Sequence, residues 1–149
     1  MIKKLGIFVL FFFATIHTNA QLQKQTINNG WKFYYAKASK WYAATVPGTI
    51  HTDLLSNKLI ADPYFGDNEK KLQWIDKENW DYKTSFTVSH KILQQKNIEL
   101  VFDGLDTYAD VFLNGKLLFS ADNMFRQWRA NIKPVLKSRN EILIRFYSS

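Results

Sequence analysis

Cysteine is absent from all 149 residues of the chain. Disulfides and thiolate zinc sites are excluded with it, so the fold must be held by burial. Histidine is almost as scarce. Beyond His17 there are only His51 and His90, and their separation is not one that metal ligands use, so neither a metal nor a cofactor is expected. Blocks of like charge are missing too. Lys70-Lys71, Arg126, Arg129, Lys133, Lys137, Arg139 and Arg145 are scattered, which fits a solvated surface and gives no reason to expect a nucleic-acid partner. No Gly-x-Ser-x-Gly elbow and no phosphate-cradling glycine loop occurs, leaving serine-nucleophile and nucleotide chemistry without a motif.

One apolar run does exist, at the start. Lys3 and Lys4 precede a stretch from Leu5 to Ile16, and Thr18-Asn19-Ala20 then offers small residues for cleavage before Gln21. The run falls short of the roughly 20 residues that a spanning helix needs. Residues 1–20 therefore read as a signal peptide rather than a membrane anchor, and export to the periplasm or the extracellular space is expected. Without them the chain keeps 18 Lys+Arg against 13 Asp+Glu, a net charge of +5 instead of +7. Residues 21–149 suffice for one domain with its own core.

Most of that domain alternates at a period of two. Trp80, Tyr82, Phe86 and Val88 share one face, while Asp81, Lys83, Ser85 and Thr87 share the other, the pattern of a half-buried strand. Ile98, Leu100 and Phe102 alternate likewise after a polar loop over residues 89–97. Ala109, Val111 and Leu113 run into Asn114-Gly115, a strong hairpin signal, with Lys116–Phe119 as the return strand. Ile142, Ile144 and Phe146 form the last strand. Only one stretch reads as helical: Thr49 is an N-cap, Ile50–Ser56 gives two turns and Asn57 closes them. Short strands at this spacing predict an all-β antiparallel sandwich with one short helix. The last strand runs into Ser148-Ser149 without a polar tail, and the expectation is a chain cut from a longer protein.

Chemistry has two places to reside. The loop Asp62-Pro63-Tyr64-Phe65-Gly66-Asp67-Asn68-Glu69, with Trp74 after it, gathers carboxylates, an amide and aromatics. It serves either as the rim of a saccharide pocket or as a loop whose aspartates cap their own backbone. The pairs Asp67/Glu69 and Asp103/Asp106 invite comparison with glycosidase carboxylates. Both lie at turns, where an Asp commonly serves the backbone, and no catalytic residue is assigned to this chain. The five tryptophans are expected chiefly in packing.

Four blocks in order resemble β-mannosidases of glycoside hydrolase family two. They are Val46-Pro47-Gly48-Thr49-Ile50-His51 with Asp53-Leu54-Leu55, the Asp62–Glu69 loop with Trp74 and Glu78–Tyr82, Phe102–Val111 with Leu113-Asn114-Gly115, and Asp122-Asn123-Met124-Phe125-Arg126. The resemblance implies a galactose-binding-like jelly roll as the first of several domains, packed on a (β/α)₈ barrel that carries both catalytic glutamates. It implies an oligosaccharide with terminal β-mannose as the parent enzyme's substrate. On this reading Asn68, Glu69 and Trp74 stand at the pocket rim. The other motif residues have structural roles: Gly104 permits a tight turn, Asn114-Gly115 closes a hairpin, and Arg126 pairs with Asp106 or Asp110 to lock strand ends. A free-standing carbohydrate-binding module, or the same domain of a β-galactosidase or β-glucuronidase relative, is the alternative.

Overall fold

The computed structural model describes residues 22–148; the signal peptide read in residues 1–20 lies outside them. The elements in order are β1 (Lys32–Tyr35), β2 (Lys40–Ala43), α1 (Ile50–Ser56), α2 (Asn68–Leu72), β3 (Trp80–Thr87), α3 (His90–Leu93), β4 (Glu99–Phe102), β5 (Ala109–Leu113), β6 (Lys116–Ala121), β7 (Trp128–Asn131) and β8 (Arg139–Phe146). Six strands form one sheet in the order β2-β1-β3-β8-β5-β6, and β4 pairs with β7 in a second. Every pairing is antiparallel.

Alternation becomes burial in a readable way. Tyr42, Phe33, Tyr82, Ile144, Val111 and Phe119 are successive partners across the large sheet and line its inner face. The β4–β7 ribbon covers one half of that face, where Phe119 stacks on Trp128 with ring centroids 5.4 Å apart and meets Phe102 edge-on at 5.9 Å. Helix α1 covers the other half and sends Leu54 fully into the core. Phe33, Ile75, Val111, Leu113 and Ile142 are also sealed from solvent, each burial contributing on the order of 1.5–3 kcal/mol.

Helix α1 has the predicted limits. Thr49 Oγ1 accepts the Thr52 N–H at 3.3 Å, the Thr49 N–H donates to Thr52 Oγ1, and the Asn57 N–H closes on the Asp53 carbonyl. The expectation of a single helix needs correction. Helix α2 occupies part of the Asp62–Trp74 loop and α3 part of the 89–97 loop. Each is only four or five residues long, too short for an apolar period to show, and α3 is started by Ser89 Oγ accepting the Ile92 N–H.

The strand registers decide where the motif loops emerge. Trp80, Phe146, Ala109 and Ala121 are aligned across one end of the large sheet, and Phe102 faces Trp128 in the ribbon. Residues 103–108 and 122–127 and the approach to β3 therefore share that end. The Asn114-Gly115 hairpin lies at the opposite end.

Candidate functional site

The Asp62–Glu69 segment is built by its own short hydrogen bonds. Asp62 Oδ1 accepts the Tyr64 N–H at 3.0 Å, and its carbonyl accepts both the Phe65 N–H and the Asn68 side-chain amide. Asp62 thus caps its own loop as one of the two readings expected, whereas Asp67 precedes α2 without a side-chain cap. The result is a hydrogen-bonded turn carrying Tyr64 and Phe65, which are 96% and 77% exposed. Glu69 lies exposed in the first turn of α2.

Trp74 is placed differently from its two companions. Its ring lies 6.2 Å from Trp80 and 6.3 Å from Tyr35, and the Lys37 ammonium sits 3.4 Å from its centroid. Lys37 thus covers one face of the indole. Beside it, a crevice lined by Tyr35, Lys37, Trp74, Glu78 and Trp80 holds only about 10 Å³, about the room of one water. So the structure brings Asn68 and Glu69 together on α2 and keeps Trp74 in an aromatic cluster. A larger groove of about 320 Å³ lies away from these residues, between β6 and β7, lined by Lys116, Leu117, Phe119, Arg129, Asn131 and Val135.

The other two motif loops brace each other. Gln127 donates to Asp103 at 2.7 Å, and a Cβ on Gly104 would come within 3.1 Å of the Met124 carbonyl oxygen. A side chain at Gly104 would need the Met124 carbonyl to give by a few tenths of an ångström, so the glycine lets the two loops approach closely. Asp106 accepts from the neighbouring Thr107 hydroxyl. The expected pairing of Arg126 with Asp106 or Asp110 is not made. Arg126 instead places its guanidinium carbon 4.1 Å from the Trp128 ring, and Asp110 accepts from Ser120 at 2.5 Å and Tyr147 at 2.7 Å. Those two hydroxyl donors hold the Asp110 carboxyl below its ordinary range, and donating to Asp110 raises the Tyr147 phenol. Arg145 makes a two-pronged contact to Asp81 at 2.8 and 2.9 Å. Asp103, Asp106, Asp110 and Asp81 are thereby committed to structural partners.

Reading the sequence alone missed three of these relationships: the Arg126–Trp128–Phe119 stack, the Tyr147–Asp110 contact and a buried Asp53–Tyr82 contact. Only the stack left a signal, since Arg126 and Trp128 are two apart around a strand start. The hairpin residues behave as expected. Asn114 and Gly115 both take positive φ, 53° and 80°, as the tight turn demands. Asn114 also donates to the Val135 carbonyl at 2.8 Å and to Asn140 at 3.0 Å.

A two-layer antiparallel sandwich with bracing loops gathered at one end is the architecture of a galactose-binding-like module, in which sheets scaffold and loops make contacts. Residues 31–149 match the family described as glycosyl hydrolase 2 galactose-binding domain-like. The chain belongs to that family. It is 32% identical over 124 residues to a β-mannosidase of Rattus norvegicus, covering 83% of this chain and 14% of that protein. It is 36% identical over 127 residues to a β-mannosidase B of Thermothelomyces thermophilus, covering 83% and 15%. Among solved structures it resembles a β-D-mannosidase of Dictyoglomus thermophilum with a TM-score of 0.76 at 42% identity, over 79% of this chain and 15% of that one. A β-glucuronidase of Ruminococcus gnavus has a TM-score of 0.60 at 20% identity over 83% and 21%, a likeness of fold alone. The chain spans about a seventh of the length of the curated relatives it matches.

Proposed function

We propose that this domain is the non-catalytic first domain of an exported, exo-acting β-mannosidase that removes terminal β-linked mannose from oligosaccharides. It packs on a catalytic barrel and lends a wall to the sugar pocket. The observation that carries the reading is the 42% identity to the D. thermophilum β-D-mannosidase, against 20% for the β-glucuronidase. The commitment of Asp81, Asp103, Asp106 and Asp110 to hydroxyl, amide and guanidinium partners supports a scaffold role. Export rests on the basic n-region, apolar run and small residues of positions 1–20. The test is to express the natural full-length protein and compare aryl β-mannoside, β-glucuronide and β-galactoside turnover. Preference for the mannoside is expected, with no turnover by residues 21–149 alone. A preference for either other sugar, or cleavage by the fragment, overturns the reading.

A further inference from the structure

The Asn123–Arg126 loop carries side chains that its own domain leaves outward. Phe125 is 89% exposed. The loop beneath it is nonetheless fixed: the Phe125 N–H donates to Asn123 Oδ1 at 2.8 Å, and the Trp128 indole N–H donates to the Asn123 carbonyl at 3.1 Å. Arg126 rests on Trp128, which itself stacks on Phe119. Across the same sheet end stands Tyr108, 48% exposed, tied by its carbonyl to the Tyr147 N–H. An aromatic held out on an ordered backbone, next to a pre-placed guanidinium, is the composition of an interface anchor and gives the domain alone no burial.

We propose that Phe125 and Arg126 are the anchor of an interdomain interface, with Phe125 entering an apolar pocket and Arg126 meeting a carboxylate on the catalytic part of the same protein. This rests on the reading above, that the domain belongs to a longer glycosidase, and on relatives that have only 14–15% of their length in this region. Charge favours a protein surface over a saccharide as the occupant. Mannosides are neutral, whereas a guanidinium fixed on an indole gains most from a carboxylate in fork geometry.

The experiment is hydroxyl-radical footprinting of the natural full-length protein, each residue being normalised to the urea-unfolded chain. Leu117, 49% exposed in β6, is the internal standard. Phe125 is expected to be protected about tenfold more than Leu117, independently of protein concentration and added mannose, and Phe125→Ser is expected to erase about tenfold of stability in the docking of the two parts. Arg126→Lys, which keeps the charge and loses the planar fork, is expected to weaken docking in the same assay. Protection of Phe125 no greater than that of Leu117 overturns the proposal. So does protection that vanishes on dilution, which assigns the patch to a second copy, or that arises only with mannose or mannobiose, which assigns it to sugar. Aryl β-mannoside turnover is read on the same sample. Its absence defeats the β-mannosidase reading without altering the footprint, so the two failures are distinguishable.

Discussion

The Tyr82 hydroxyl donates to Asp53 Oδ2 across 2.9 Å inside the domain, and Asp53 Oδ1 accepts the Thr45 N–H at 2.9 Å. Asp53 is 2% exposed. One carboxyl thus ties helix α1 to the centre of the large sheet and to the segment that leads out of β2. Burial raises its pKa above the ordinary value despite both donors. A folded pKa above the unfolded one means that the native state holds the proton more tightly. The associated stability is complete below the unfolded pKa and is lost as pH rises through the folded one. Asp53→Asn keeps an acceptor for Thr45 and can donate to Tyr82, so it is expected to cancel this loss and gain on wild type as pH rises from about 4 toward neutrality. Asp53→Ala strands the Thr45 N–H and the Tyr82 hydroxyl and is expected to cost about 2–4 kcal/mol. Urea unfolding across a pH series reads both. A wild-type and Asn pair with parallel pH profiles would refute the assignment.

The hairpin end makes a contrasting prediction, because its two residues act by different means. No atom lies within 4 Å of a Cβ built on Gly115, so Gly115→Ala pays only for its φ of +80°, about 1 kcal/mol. Asn114 gives up more. Its side chain bonds the Val135 carbonyl, Asn140 and the Glu141 N–H, joining the hairpin to β8 and to the turn before it. Asn114→Ala is expected to cost about 2–3 kcal/mol, and Asn114→Gly to recover the backbone part only. Thermal unfolding of the three variants should rank them with N114A lowest; G115A falling below N114A is incompatible with this account.

These two cases show what was legible beforehand. Asn114-Gly115, the alternation of β3, β5 and β8 and the Thr49 cap were all readable, since each expresses a local rule. Strands β1 and β2 were not, because Phe33-Tyr34-Tyr35 and Trp41-Tyr42 are aromatic on both faces. Tyr34 and Trp41 meet on the outer side with ring centroids 5.3 Å apart, and Lys83 covers Trp41 at 4.1 Å, so the polar half of the alternation is missing there. The site was legible as a set of loops but not as a geometry. Trp74 reads in sequence both as packing and as a rim residue, and only the tertiary structure places it against Tyr35, Trp80 and Lys37. Arg126 had carboxylates nearby in sequence, yet the registers give Asp110 to Ser120 and Tyr147.

The Asp81–Arg145 contact bridges β3 and β8 on the outer face, with side chains 21% and 45% exposed. Its geometry is good, and the donors from Arg145 come in a fork. Solvent still screens it, so Asp81→Asn is expected to cost no more than about 1 kcal/mol at low salt and less as salt is added. A denaturant series at low and high ionic strength measures the difference. A loss well above that, or one indifferent to salt, means that Asp81 holds the sheet by something other than charge.

Asn68, Glu69 and Trp74 are the expected pocket-rim residues, and the structure sets Glu69 and Trp74 in different surroundings. Glu69 is exposed in the first turn of α2, and the proposed rim role would have it accept from a sugar hydroxyl. Trp74 is half-buried under Lys37, and the packing reading expects it to act through the fold. On the rim proposal, Glu69→Gln in the full-length protein is expected to weaken a charge-assisted hydrogen bond to substrate and to raise KM for an aryl β-mannoside about tenfold. Its melting temperature should not move, because no folded contact is lost. Trp74→Phe does the reverse: melting falls by a few degrees for roughly 1 kcal/mol of lost packing, while KM stays put. Measuring KM, kcat and melting on both variants separates contact from scaffold. An unchanged KM in E69Q removes Glu69 from the rim, and a raised KM in W74F with unaltered melting returns Trp74 to it, since a packed side chain cannot alter binding without first altering the fold that holds it.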